Sequence, residues 1–148
     1  MKNLILLGVI AVLLNCSMIE PDYKWYDCRI PTELKKLDPV LINERGVAFW
    51  VDDEVKYKLY ANGFHSAQQT LNEMQGNCAN KALVKIALWY QLTGQKGQLV
   101  YCWYTNGKVS GFHYAAKING YIAEKEYITA VYEIISFDNI AEFIYYRQ

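Results

Sequence analysis

Cys78 stands in the run Gly76-Asn77-Cys78, at the start of the most legible helix of the chain, and His113, one of two histidines, follows 35 residues later. A thiol in the first turn of a helix meets free backbone N–H groups and the positive end of the helix dipole, which favour thiolate over thiol. A thiolate so placed can attack a carbonyl, and the same N–H groups can hold the oxyanion of a tetrahedral intermediate. The chemistry needs a base, for which His113 is the candidate, and an acceptor that fixes the tautomer of the imidazole. Glu124 lies diagonally across an expected hairpin from His113 and is the acceptor of choice. Glu126 lies directly opposite and reads equally as a solvated strand residue or an ion-pair partner of Lys117. Side-chain candidates for a second oxyanion donor are Gln75, Gln69 and Trp50. Taken singly, a Cys at a helix start is a small buried residue and a His on a strand a satisfied polar group. It is their order, spacing and facing that together point to chemistry.

The elements that must position these groups are legible in part. From Cys78 onward apolar residues fall at Ala79, Ala82, Leu83, Ile86, Ala87 and Tyr90, the spacing of a helix with a buried stripe. Asn77 suits the N-cap and Gly94 the C-terminal stop. Val84 and Leu88 lie off the stripe, so the helix must be nearly enclosed, with Lys81 and Lys85 as its wet edge. Asn106-Gly107 and Asn119-Gly120 signal two hairpins. With two-residue turns, paired residue numbers sum to 213 in the first and 239 in the second, which sets His113 against Val100 and Glu126. Alternation then places Cys102, His113, Ala115, Glu124 and Glu126 on one face, and Tyr101, Trp103, Phe112, Tyr114 and Tyr121 on the other. Upstream, Pro31-Thr32-Glu33-Leu34 reads as a short helix capped by Thr32 and stopped at Asp38-Pro39. Val47 to Val51 reads as a strand, Glu54 to Tyr60 as a short element ending before Asn62-Gly63, and Ser66 to Met74 as helical.

The order of a Gly-x-Cys helix start, two strands, His113, an Asn-Gly turn and an acid on the return resembles the transglutaminase-like branch of the papain-type cysteine enzymes. In that family an aromatic residue after the turn glycine precedes the acid by a few residues, as Tyr121-Ile122-Ala123-Glu124 does here. The resemblance spans about residues 76–126. It implies an α+β papain-like core, a central helix starting at the nucleophilic Cys and packed on an antiparallel sheet of hairpins. It also implies a triad of Cys78, His113 and Glu124, and thioester-mediated acyl transfer or amide hydrolysis on a protein or peptide substrate. The chain departs from the family in having Ala115 two residues after the His, where Trp is usual. It also has Glu in place of Asp at 124, whose extra methylene calls for a slightly displaced strand.

Composition frames this reading. The 148 residues carry 15 Lys+Arg against 15 Asp+Glu, 53% hydrophobic and 15% aromatic, which suits one globular domain and gives no basic excess for nucleic acid. Lys2 followed by the apolar run Leu4 to Leu14 reads as a signal peptide, too short to span a bilayer, which takes roughly twenty residues. Leu13-Leu14-Asn15-Cys16-Ser17 resembles a bacterial lipobox, with Cys16 as the lipidated residue and Asn15 in place of the usual small residue. The expected organisation is a signal segment over 1–16, a tether over 17–27 and one domain over 28–148. The product is exported and held at the cell envelope by lipid, or is secreted or periplasmic after ordinary cleavage. In an exported chain Cys28 and Cys102 can form a disulfide or stay buried thiols. No Cys or His spacing suggests a metal site, and no organic cofactor is implied. Two rivals share the fold: a non-catalytic envelope lipoprotein that binds a protein through its aromatic face, and a papain-type cell-wall peptidase with a different third residue.

Overall fold

The computed structural model of the protein describes residues 24–36, 43–60 and 63–147. The signal segment 1–16, Cys16 and residues 17–23, together with the Asp38-Pro39 stop, lie outside the described residues. In chain order the elements are α1 (Thr32–Lys35), α2 (Glu44–Glu54), β1 (Lys56–Tyr57), α3 (Ala67–Glu73), β2 (Gln75–Gly76), α4 (Cys78–Thr93), β3 (Gln98–Thr105), β4 (Ser110–Ile118), β5 (Tyr121–Ile122), β6 (Tyr127–Ser136), a 3₁₀ turn (Phe137–Asn139) and α5 (Ile140–Arg147). The architecture is α+β. An antiparallel sheet runs in the order β5-β4-β3-β6, and β1 and β2 form a separate parallel pair.

Helix α4 organises the core. The Asn77 side chain accepts the Asn80 N–H at 2.9 Å, and Gly94 ends the helix in the left-handed region at φ 71°. Residues 79, 80 and 82–89 are all buried, packed against α2, α3 and β4. Gly76 is fixed by close approach: a Cβ there would stand 2.9 Å from Asn80 Cβ and 3.0 Å from Thr70 Cγ2. The residue before the cap must therefore lack a side chain for α3 and α4 to meet.

Upstream, the structure corrects three readings. Val47 to Val51 is helical, inside α2. Asn43 caps that helix through Gly46 N–H, and the buried positions Val47, Ala48 and Val51 follow helical spacing, so cap and periodicity override the strand preference of its Val, Phe and Trp residues. Helix α1 starts at Thr32 itself, with Pro31 at the cap position and no side-chain cap bond. The tether does not extend to residue 27. Trp25 is 1% exposed, lies 5.1 Å from the Phe137 ring, and accepts the Ala67 N–H through its carbonyl. The folded body therefore includes Trp25.

The second hairpin has the expected register, Lys117 against Ile122 and Ile118 against Tyr121, with Asn119 and Gly120 both at positive φ as a type I′ turn demands. The first does not. Asn106 uses its side chain to accept the N–H groups of Lys108 and Val109, which makes a four-residue loop. His113 consequently pairs with Cys102 instead of Val100. The slip is two residues, so every side chain keeps its face.

Candidate functional site

Cys78 is the first residue of α4 and is half-buried. The helix start meets the edge of β4. Because β5 ends at Ile122, the edge of β4 upstream of Ala116 has no strand beside it. Tyr114 N–H faces the Cys78 sulfur there, and Ala116 N–H donates to Glu124 Oε1 at 3.4 Å. The two donors are two residues apart and so point the same way from the strand. His113, 13% exposed at its side chain, lies between these groups. Its Nε2 is 3.3 Å from Glu124 Oε2, which leaves Nδ1 for the Cys78 thiol. The Tyr104 ring packs 5.1 Å from the imidazole.

Glu124 is reached in an unexpected way. It is not on a paired strand, because the chain leaves the sheet after Ile122 and the final tie to β4 is Ala123 N–H to Ala116 O at 2.8 Å. The longer side chain of Glu then spans the added distance to His113. Its carboxylate, 5% exposed, accepts from Lys85 Nζ at 2.9 Å as well as from Ala116 N–H. Lys85 is not the wet helix edge its spacing suggests. It is 1% exposed and completes its bonding with Asp52 Oδ1 at 3.0 Å and Ala123 O at 3.0 Å. Lys81 stands 3.5 Å from the same Asp52 oxygen. Sequence reasoning missed Asp52 and Lys85. The available signal was that Cys78, Lys81 and Lys85 share one helical stripe at i, i+3 and i+7.

The electrostatics follow from these contacts. Burial pushes the Cys78 thiol up, but the His113 imidazole, the Tyr114 and Ala79 N–H groups and the imidazolium charge outweigh it and hold the thiol below its ordinary 9.0. Burial alone would lower His113. Its bonds to Cys78 and Glu124 and their negative charges raise it to about 9. Glu124 is likewise pushed up by burial and brought below the usual carboxylate range by His113 and Lys85. The other described cysteines behave oppositely: burial and the charge of Asp27 push Cys28 up to about 12, and burial with the charges of Glu124 and Cys78 pushes Cys102 up to about 11.

Of the two alternatives for Cys28 and Cys102, a bridge or buried thiols, the structure has the second: both are free and buried. Cys28 belongs to the main core with Leu34 and Leu71, whereas Cys102 sits in a separate small cluster with Val100 and Ala115 and points its thiol at His113 O, 3.4 Å away. The proposed side-chain oxyanion donors are also corrected. Gln75 gives its amide to Glu73 O and Gln69 gives its amide to the Glu73 carboxylate. Trp50 lines a cavity with Cys28, Leu71 and Met74, on the face of α2 opposite Asp52. The donors at the sulfur are the backbone N–H groups of Ala79 and Tyr114.

Ligand atoms of His113, Glu124 and Glu126 lie within 4.8 Å of one another. A cation there would compete with Lys85 and Ala116 N–H for Glu124. A cavity of about 820 Å³ lined by Glu44, Arg45, Phe49, Tyr121 and Lys125 opens beside Glu124 and not beside Cys78. The aromatic face forms as expected: Tyr101 stacks on Phe112 at 5.3 Å, and Trp103 meets Phe112 edge-on at 4.8 Å. Among the described residues no helix is long and apolar enough to cross a membrane. No family model matches the chain, and neither does any curated protein or solved structure.

Proposed function

We propose that the chain is a thiol enzyme of the transglutaminase-like, papain-type kind, with Cys78 as nucleophile, His113 as acid and base, and Glu124 as the residue that orients His113. The observation that carries this reading is the placement of His113 between the Cys78 sulfur and the buried Glu124 carboxylate, 3.3 Å from Nε2. In the first half-reaction the Cys78 thiolate forms an S–C bond to a glutamine side-chain amide or a peptide carbonyl. The carbonyl π pair moves to oxygen, and the returning pair expels the amine, which takes the His113 Nδ1 proton and leaves a thioester. In the second, water or an amine attacks the thioester while His113 takes its proton, and sulfur leaves as thiolate. Water gives a protease or amidase, and a lysine amine gives a crosslinker. None of these steps calls for a cofactor.

The contact between Glu124 and His113 favours this reading over a cell-wall peptidase with another third group. The N-terminal sequence supports export with lipid attachment at Cys16. A second reading, a binding module without catalysis, is favoured by the exposure of Phe112 and Tyr132 on the aromatic face, at 58% and 59%. The deciding experiment incubates the full-length chain with benzyloxycarbonyl-glutaminylglycine and hydroxylamine, and follows hydroxamate release and intact mass. An acyl adduct on Cys78 and turnover lost in Cys78→Ala support the enzyme. The absence of any adduct with this or with an activated ester supports the binding module.

A further inference from the structure

The placement of Glu124 poses a physical problem. Its residue lies past the end of β5, so no strand ladder holds it, yet its carboxylate is almost fully buried beside His113. A buried carboxylate without a cation takes up a proton or swings to water. Three contacts prevent that: His113 Nε2 on one oxygen, and Lys85 Nζ and Ala116 N–H on the other. Among these Lys85 alone brings an ammonium group. Its ammonium has three N–H donors, and three acceptors surround it: Glu124 Oε1, Ala123 O and Asp52 Oδ1.

We propose that Lys85 is a positioning residue of the site. Its buried ammonium holds Glu124 ionised and turned toward His113, and through Ala123 O it pins the loop that carries Glu124. The contacts of Lys85 are to Glu124, Ala123 O and Asp52, so it acts on the thiol through Glu124. Asp52 anchors Lys85 from α2 and keeps the surrounding charge neutral. The consequence for chemistry rests on the thiol-enzyme reading, but the effect on His113 does not.

The facing charged and titratable groups are His113 and Cys78 beyond Glu124, Asp52 and Lys81 beside Lys85, and Glu126 near the carboxylate. The test uses full-length chain and iodoacetamide, with Cys78 labelling rates measured from pH 5 to 10. In Lys85→Met the midpoint rises by about one pH unit, so labelling one unit below the wild-type midpoint slows about tenfold. Asp52→Asn loses stability as a structural residue would, but its midpoint stays within about 0.3 unit. A folded Lys85→Met with the wild-type midpoint overturns the proposal. If Lys85→Met alone does not fold, Lys85→Met with Asp52→Asn removes both partners and carries the same test.

A second measurement separates this proposal from the nucleophile reading. In a Cys78→Ala background, the NMR titration of His113 must still fall when Lys85→Met is added. An unmoved His113 titration overturns the role of Lys85. An ordinary wild-type thiol midpoint together with a moved His113 overturns only the nucleophile.

Discussion

Replacing His113 by Ala removes the largest of the influences that hold the Cys78 thiol down, leaving the Tyr114 and Ala79 N–H groups against burial. The thiol then rises, with only those two N–H groups set against burial. A thiol at the ordinary 9.0 is about 0.3% ionised at pH 6.5. In the intact site His113 stays protonated up to about 9, so the thiolate is paired and ionised from its lowered value upward. Labelling by iodoacetamide at pH 6.5 is therefore expected to slow in His113→Ala, by about tenfold for each pH unit the thiol rises, with the two proteins converging where both thiols are ionised. Cys102 and Cys28 serve as internal controls. At about 11 and about 12 they are ionised at pH 6.5 to roughly one part in 30,000 and one in 300,000. Peptide mapping of the alkylated chain should find Cys78 modified at least about a hundredfold ahead of either. Equal rates in wild type and His113→Ala at pH 6.5, or Cys102 labelled alongside Cys78, would mean that His113 does not hold the Cys78 thiol down.

Gly76→Ala forces a Cβ against Asn80 and Thr70 in a packed interior. It is expected to cost roughly 1–3 kcal/mol in urea unfolding and to slow Cys78 labelling by shifting the helix start. Trp25→Ala should lower stability by about 3–5 kcal/mol, a loss that a residue in a tether could not produce. The dependence of stability on pH follows from both partners of the site. His113, raised from 6.5 to about 9, contributes stability present below 6.5 and lost as pH rises to about 9, whereas Cys78, lowered from 9.0, contributes stability present above 9 and lost as pH falls. The two slopes oppose each other between 6.5 and 9, so stability in chemical unfolding should fall less steeply there than the His113 shift alone would make it. A Cys78→Ala chain, keeping His113 beside Glu124, should lose stability with rising pH over the same range.

Local chemistry made α4 legible: Asn77 and Gly94 mark its ends by capping, and enclosure follows from apolar residues off the stripe. The type I′ turn at Asn119-Gly120 was legible because both residues must hold positive φ, and the pair encodes that directly. Asn106-Gly107 has the same two letters, but Asn106 spends its side chain on the loop N–H groups and opens the turn. The face of His113 survived because the register moved by two. Helix α2 hid behind a short run of β-branched and aromatic residues, and with it went Asp52. Without Asp52 and the Glu124 loop, Lys85 on a helix surface reads as solvated. Trp25 was hidden for a similar reason, since its partner Phe137 lies at the far end of the chain. Cys78 and His113 could be read from local signals, whereas the Glu124 support depends on contacts from three separate elements.

Those contacts give the site an internal logic. Ordered from the thiol inward, the groups are Cys78, His113, Glu124, Lys85, Asp52 and Lys81, each charged one opposite in sign to the next when Cys78 is a thiolate. Buried charge is costly unless paired, and removing one partner strands the other. The inner pair of Lys85 and Asp52 is balanced without the thiol, with Lys81 as an outer counter-charge. Glu124 is not, because it also faces His113, and a cationic His113 in turn favours an anion on its other side. That anion position is the first residue of a helix, where Tyr114 and Ala79 N–H groups already converge. A core stabilised only for packing has no use for this series; apolar residues of the same size would fill the space at less cost. The alternation ends on the one described sulfur whose surroundings favour its charged form, and this joint pattern separates Cys78 from the two buried thiols beside it in the same fold.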